Sequence, residues 1–151
     1  MHGDLRWANV LAVLDDVPPK LWLVDWELAC QGDPAWDVGS VLADLLAAAA
    51  VRGLERGELP DVSFGARAFL ASYRAAALTA GTEWPDFVSR SVALAGVRLV
   101  QALVKYGHYD VTYLSALEHV LLPRAAMLLE NPEGIALELA PAATRPCCCG
   151  E

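Results

Sequence analysis

Three side chains near the start of the sequence have the types and the spacing that phosphoryl transfer requires. Asp4 is followed five residues later by the amide Asn9, and Asp25 lies at the end of an apolar run. In phosphoryl transfer, one carboxylate orients the attacking hydroxyl and accepts its proton. An amide oxygen and a second carboxylate hold the magnesium ions that bridge the phosphates. These residues therefore indicate a candidate site for phosphoryl transfer from a nucleotide.

Two short apolar runs would position these side chains. Residues 10–14 and 21–26 are predicted strands, and the turn residues at 15–19, two of them proline, predict a hairpin between them. Antiparallel pairing brings the start of one strand beside the end of the other. We therefore expect Asn9 and Asp25 to lie together at one end of this hairpin.

The remainder of the sequence has helical periodicity. Asp33 is a predicted N-cap, and Pro34 suits the first turn of a helix over about 34–51 that Gly53 and the segment 57–60 would end. Apolar stripes predict further helices at about 64–79, 85–106 and 112–130. Residues 132–151 contain three prolines and are predicted to be a flexible tail. The expected fold class is mainly α with a small β-hairpin.

Composition and charge exclude several function classes. The net charge of −8 argues against a nucleic-acid partner, because phosphate binding requires a basic surface. Charged residues interrupt the apolar stretches, so we expect no membrane-spanning segment, and no targeting segment is visible. Three of the four cysteines are adjacent, at Cys147, Cys148 and Cys149, which does not form a disulfide framework. A cytoplasmic location is therefore expected.

Three linked motifs resemble one family. The segments His2-Gly3-Asp4-Leu5-Arg6-Trp7-Ala8-Asn9, Val24-Asp25-Trp26-Glu27 and Gly32-Asp33-Pro34-Ala35-Trp36-Asp37 are similar in order and spacing to the aminoglycoside phosphotransferase and choline kinase-like family. That family has a protein-kinase-like fold. The resemblance implies that residues 1–131 form its C-terminal, helical lobe, with the catalytic and metal motifs in 1–37 and an acceptor-binding part in 38–131.

The resemblance also implies a role for each residue of the motifs. Asp4 would be the catalytic base, and Asn9 and Asp25 would ligate Mg²⁺. His2 would pack under the catalytic loop, and Asp37 would accept hydrogen bonds from the loop backbone. The implied cofactors are Mg²⁺ and ATP (or GTP) as phosphoryl donor, and the implied acceptor is a hydroxyl of a small molecule.

One departure from the family pattern concerns the nucleotide-binding lobe. In kinase-like folds an N-terminal lobe supplies a glycine-rich loop and a strand lysine, and neither Lys20 nor Lys105 fits that lysine. The chain is therefore expected to be a fragment of a complete kinase, one half of a split kinase, or a non-catalytic interaction module. The first two predict exposed apolar surface near the hairpin, where the missing lobe would dock in cis or in trans. The third predicts that this surface is polar or covered by the tail.

Acceptor identity and two other functions stay open at this stage. An amine-bearing acceptor would suit the acidic residues of the helical part, which are Asp44, Glu83, Asp86, Asp110 and Glu118. Metal binding or thiol exchange at Cys147–Cys149 is one alternative, although adjacent cysteines are poorly spaced for a zinc site. A hydrolytic metal site at His2, Asp4 and Asp25 is another, but it lacks the further ligands that a two-metal hydrolase needs.

Overall fold

The computed structural model describes residues 1–15, 17–57, 61–77, 83–106 and 111–140. Two strands come first, β1 (Val10–Val13) and β2 (Lys20–Leu23), each flanked by a 3₁₀ turn, at Trp7–Asn9 and Trp26–Leu28. Five helices follow, α1 (Ala35–Arg56), α2 (Ser63–Ala77), α3 (Trp84–Tyr106), α4 (Val111–Glu130) and α5 (Pro132–Leu139). The prediction of a mainly helical chain with a small hairpin is confirmed.

The hairpin pairs β1 with β2 in antiparallel register, with Val10 opposite Leu23 and Val13 opposite Lys20. The backbone N–H of Val24 also donates to the carbonyl oxygen of Asn9 at 3.0 Å, so the pairing continues one residue beyond the strands. Strand β2 is shorter than the predicted run to residue 26. Asp25 has φ of 68°, and this left-handed conformation turns the chain out of the sheet.

Helix α3 lies at the centre of the helical part and packs against α1, α4 and α5. Its side chains Val92 and Leu99 are completely buried, as is Val38 of α1. Helices α1 and α3 approach closely at Gly39, where an added Cβ would lie 2.7 Å from the carbonyl oxygen of Ser91. Glycine is therefore required at this crossing, and apolar burial between the helices stabilises this part of the fold.

Helix α1 extends beyond the predicted end at residue 51. Gly53 lies inside the helix and is buried, whereas Gly57 has φ of 76° and donates its N–H to the carbonyl oxygen of Gly53 at 2.8 Å. A glycine in a helix interior costs only about 1 kcal/mol relative to alanine. Continued packing outweighs that cost, so the helix ends at the residue that can adopt the left-handed cap.

The prediction of a flexible tail over 132–151 is wrong for its first part. Residues 132–139 form α5, whose start is capped by the Asn131 side chain accepting from the N–H of Gly134 at 3.1 Å. Pro132 occupies the first helical position, where a missing N–H costs nothing. The three prolines of 132–151 favour a tail, but the first of them begins a helix. Residues 141–151, including the three adjacent cysteines, lie outside the described residues.

Helix α3 also requires a correction to the expectation that no segment is long and apolar enough to cross a membrane. By length and composition alone, Trp84–Lys105 meets that criterion, and 44% of the apolar window is buried inside the structure. The central helix of a packed helical domain meets the same criterion. Its contacts with three other helices account for its apolar character.

Candidate active site

His2 joins the loop that carries Asp4 to the end of β2. Its ring is buried, Nε2 lies 2.9 Å from the carbonyl oxygen of Val24, and Nδ1 lies 3.4 Å from the backbone N of Asp4. A tautomer with its hydrogen on Nε2 satisfies both contacts, because Nε2 then donates and Nδ1 accepts. The ring also packs against Trp26, with centroids 4.5 Å apart. His2 therefore lies beneath the loop and holds it next to the segment that leads into Asp25.

The first turn of α1 holds the same loop from the other side. The Asp37 carboxylate accepts the backbone N–H groups of His2 and Gly3, the latter at 2.9 Å. Gly3 has φ of +89°, and a Cβ there would lie 2.5 Å from the carbonyl oxygen of Leu28. The middle residue of the His-Gly-Asp sequence must therefore be glycine, both for its conformation and for space.

The Asp4 carboxylate is held by α3. Its Oδ1 accepts from Nη2 of Arg98 at 2.8 Å, and the Asp4 and Arg98 side chains are 24% and 20% exposed. The Arg98 guanidinium lies over the Trp36 ring, 5.4 Å from its centroid. The Trp36 indole Nε1 in turn donates to the carbonyl oxygen of Gly3 at 2.9 Å. A short chain of contacts thus fixes both the loop and its carboxylate.

Asn9 lies on the same loop and faces Asp4. Its side chain is buried, and Nδ2 donates to the backbone carbonyl oxygen of Asp4 at 2.9 Å, with a longer contact of 3.4 Å to Asp4 Oδ2. Because the amide nitrogen is used in this way, the amide oxygen is directed elsewhere and can act as a ligand. The backbone pairing of Asn9 with Val24 places it across from the residue preceding the exposed Asp25.

The donor set of this region fits magnesium. Oxygen atoms of a carboxylate and an amide are suitable ligands for Mg²⁺, which is usually bound by one or two carboxylates together with phosphate oxygens and water. Within the described ranges, no group of three or more His, Cys, Asp or Glu side chains gathers to hold a metal. A metal ion here would therefore use Asp25, the Asn9 oxygen and oxygens that a bound ligand supplies.

The predicted N-cap, Asp33, lies one residue before the N-cap position of α1, which Pro34 occupies, and its side chain contacts both α1 and α3. Its Oδ1 accepts the backbone N–H of Ala35 at 3.0 Å, and its Oδ2 accepts from Nε of Arg90 at 2.9 Å. Burial raises the pKa of Asp33, but the hydrogen bonds from Arg90 and Ala35 and the charge of Arg90 together lower it further, so that the net pKa is below its usual value. Both carboxylate oxygens of Asp33 therefore already have partners within the protein.

Apolar side chains of the hairpin are exposed, as the fragment and split-kinase hypotheses predict. Leu21 is 67% exposed, Trp22 61% and Leu11 55%, and none of the residues of β1 or β2 is buried. Trp26 is 54% exposed. Trp22 and Trp26 therefore do not pack in the core. Leu11 and Trp22 are opposite each other in the register and so share one face of the hairpin, and exposed apolar side chains that lie together are typical of an interaction site.

Sequence reasoning missed the partner of Asp4. Arg98 lies 94 residues away along the chain, and no local pattern joins the two residues. One signal was available, because Arg98 interrupts the apolar run 92–100 beside the fully buried Leu99. A charged residue at such a position requires an oppositely charged partner. The identity of that partner depends on how α3 packs against the loop.

Comparison with known proteins gives one match. The model of the phosphotransferase enzyme family matches residues 1–85, more than half of the 151-residue chain. The matched segment includes the loop of Asp4 and Asn9, the hairpin, Asp25 and the start of α1 with Asp37. Arg98 lies beyond it. No curated protein and no solved structure matches the chain significantly.

Proposed function

This chain belongs to the phosphotransferase enzyme family, and from that premise we propose that it carries the catalytic site of an ATP- or GTP-dependent kinase acting on a hydroxyl of a small molecule. The observation that supports this most directly is the contact between Asn9 Nδ2 and the Asp4 carbonyl oxygen, 2.9 Å, on a loop whose carboxylate is held by Arg98. The base and a metal ligand required for phosphoryl transfer are thereby kept side by side.

Asp4 acts as the base in this proposal. Its Oδ1 is held by Arg98 at 2.8 Å, whereas Oδ2, within the part of the chain that the structure describes, has a long contact of 3.4 Å with Asn9. Oδ2 is therefore the oxygen that accepts a hydrogen bond from the acceptor hydroxyl and takes its proton as the oxygen attacks phosphorus. The ion pair with Arg98 fixes the direction of the carboxylate, and orientation of the attacking group is a large part of catalysis in phosphoryl transfer.

Asn9 and Asp25 hold the metal in this proposal. Asn9 pairs through its backbone with Val24, the residue before Asp25, and in this proposal the Asn9 amide oxygen and the Asp25 carboxylate share the metal at that end of the hairpin. Asn9 and Asp25 would hold Mg²⁺, and the ion would supply positive charge to stabilise the phosphates of the nucleotide. His2 and Asp37 position the loop through its backbone and do not contact the reacting groups.

We also propose that the described helices and hairpin form the helical lobe of a protein-kinase-like fold, with a nucleotide-binding lobe covering the hairpin in cis or in trans. The exposure of Leu11, Leu21 and Trp22 supports a partner of that kind. An interaction module with a polar or self-covered hairpin fits these exposures less well. The part of the predicted tail that the structure describes packs as α5 against α2, α3 and α4.

Metal binding tests the proposal without requiring an acceptor. Mn²⁺, which replaces Mg²⁺ at oxygen sites and broadens nearby NMR signals, should broaden the side-chain amide signal of Asn9. Asp25→Asn should greatly reduce this broadening because it removes the charged ligand. Glu27→Gln is the matched control, since it makes the same charge change at an exposed position two residues away.

Two results would contradict the metal site. If Mn²⁺ still broadens the Asn9 amide signal in Asp25→Asn, then Asp25 is not a ligand of the metal. If Glu27→Gln reduces the broadening as much as Asp25→Asn does, then Mn²⁺ binds only through the general negative charge of the loop. The proposal requires that the broadening is retained in Glu27→Gln and lost in Asp25→Asn.

A further inference from the structure

Asp44 of α1 contacts the loop of the candidate site, although it lies far from that loop along the chain. Its Oδ2 accepts the backbone N–H of Trp7 at 2.7 Å. Trp7 lies between Asp4 and Asn9 and begins the 3₁₀ turn Trp7–Asn9. The first N–H groups of a helical turn have no acceptor within the turn. The Asp44 carboxylate supplies such an acceptor from another element of the fold.

The turn that Asp44 contacts determines where Asn9 lies. The backbone N–H of Asn9 donates to the carbonyl oxygen of Arg6 at 2.9 Å, and this bond closes the turn. The Asn9 side chain is buried, and its Nδ2 donates to the backbone carbonyl oxygen of Asp4 at 2.9 Å. Because Trp7 and Asn9 belong to one three-residue turn, a displacement of Trp7 would move Asn9 as well.

Asp37 and Asp44 hold the loop from the same face of α1. Asp37 accepts backbone N–H groups from the two residues before Asp4, whereas Asp44 accepts one from a residue after it. Seven residues correspond to about two helical turns, so the two aspartates lie on one face of the helix, about 10 Å apart along its axis. The catalytic base of the proposed function therefore lies between two points at which α1 holds the loop backbone.

We propose that Asp44 is a positioning residue of the candidate site, which holds Asn9 in place by accepting the N–H of Trp7. This inference rests on the proposed function, and it assigns a role to a residue outside the three sequence motifs. In the sequence, Asp44 is instead one of the acidic residues that would suit an amine-bearing acceptor. A neutral amide oxygen can also accept the Trp7 N–H, whereas binding of an ammonium group depends on the negative charge. The two roles therefore respond differently to Asp44→Asn.

Three variants of the full chain, studied by NMR, separate these roles. Asp44→Ala removes the acceptor, Asp44→Asn removes only the charge, and Asp86→Ala repeats the truncation at an exposed position of α3. In Asp44→Ala, exchange of the Trp7 amide hydrogen should accelerate about tenfold or more, because a hydrogen bond to a charged acceptor is lost. The side-chain amide signal of Asn9 should shift in the same variant. Asp44→Asn should stay within about threefold of the wild-type exchange rate, since a neutral hydrogen bond remains, and Asp86→Ala should match the wild type.

Metal binding provides a second readout. The dissociation constant of Mn²⁺, followed by the broadening of the Asn9 side-chain amide signal, should rise about fivefold in Asp44→Ala, because a ligand that is held less firmly binds more weakly. It should rise less than about twofold in Asp44→Asn. Both variants remove the same charge, so the difference between them reports the hydrogen bond. If the wild type does not bind Mn²⁺, the proposed metal site is contradicted, whereas exchange of the Trp7 hydrogen still tests the role of Asp44.

Three outcomes would overturn the inference. Asp44→Asn could accelerate exchange at Trp7 as much as Asp44→Ala, which would show that the charge matters and the hydrogen bond does not. Exchange at Trp7 could accelerate in Asp44→Ala while the Asn9 side-chain signal stays unchanged, which would show that the bond has no influence on the site. The amine-bearing alcohol 3-amino-1,2-propanediol could shift the Trp7 amide signal in the wild type but not in Asp44→Asn, which would assign Asp44 to the acceptor.

Discussion

The motif region and the helical part of this chain are stabilised in different ways. In the helical part, Val38, Val92 and Leu99 are completely buried. In the hairpin no strand residue is buried, and Leu21 is 67% exposed. The segment with the candidate catalytic residues is instead held by polar contacts to the helices, from Asp37 of α1 and Arg98 of α3.

This difference separates stability from function within one chain. A buried leucine contributes about 2–5 kcal/mol by the cost of its truncation, whereas a typical hydrogen bond contributes about 1 kcal/mol. The helical part can therefore stay folded while the loop of Asp4 loosens. A nucleotide-binding lobe that covers the hairpin would add apolar burial where the isolated chain has little.

The largest expected effect comes from the helical core. Leu99→Ala removes a side chain with 0% exposure at the centre of α3, and it should lower the free energy of unfolding by about 2–5 kcal/mol. Leu21→Ala, the matched truncation on the hairpin, should change it by less than about 0.5 kcal/mol. Urea denaturation measures both. Equal losses would show that the hairpin is packed as tightly as the core.

The next effect concerns the loop. Asp37→Ala removes the acceptor of the His2 and Gly3 backbone N–H groups, which should destabilise the loop by about 1–3 kcal/mol. Amide hydrogen exchange should accelerate at Gly3 and remain slow at Leu99. Asp86→Ala, at an exposed position in the first turn of α3, is the control. Uniform acceleration through α3 would mean that loop and helices open as one unit.

The smallest effect is pH dependent and concerns the contact between the two regions at Asp33. Because its folded pKa lies below the ordinary value of 3.8, Asp33 adds stability above that value, and this stability is lost as the pH falls through the lower folded pKa. Arg90→Ala removes the main partner and should weaken this dependence. The Arg90 and Asp33 side chains are 52% and 44% exposed, so the effect at pH 7 should be at most about 0.5 kcal/mol.

Urea denaturation of both proteins at several pH values between 7 and 2 measures this effect. At the lowest pH values of the series, the wild type and Arg90→Ala should have the same free energy of unfolding. A constant difference in unfolding free energy between wild type and variant at every pH would contradict the role assigned to Asp33.

Much of the fold followed from short-range patterns. The hairpin was predicted from two apolar runs around prolines, and the helices from apolar periodicity. The errors occurred where one residue has two uses. Gly53 favours a helix end but is buried inside α1, and Pro132 favours a tail but begins α5. Tertiary packing decides which of the two uses a residue has, and a local sequence pattern carries no information about that packing.

The site was less predictable than the fold. The spacing of Asp4 and Asn9 places both on one loop, and the motifs predicted Asp37, whose carboxylate accepts hydrogen bonds from the loop backbone. The left-handed conformation of Asp25 was not predicted. The pairing of Asp4 with Arg98 could not be derived, because it depends on how α3 meets the loop. Local sequence is enough to predict the loop. The contact between Asp4 and Arg98, which are 94 residues apart, depends on tertiary packing.

The most direct test of the account is the transfer of the γ-phosphoryl group of ATP to a panel of small alcohols, measured with the hairpin covered by a nucleotide-binding lobe of the family. Asp4→Asn should lower the rate by about a hundredfold or more, because the base that accepts the hydroxyl proton is lost. Asp15→Asn, with the same charge change at an exposed position near the hairpin turn, should keep the wild-type rate. Equal rates in wild type and Asp4→Asn would contradict the account.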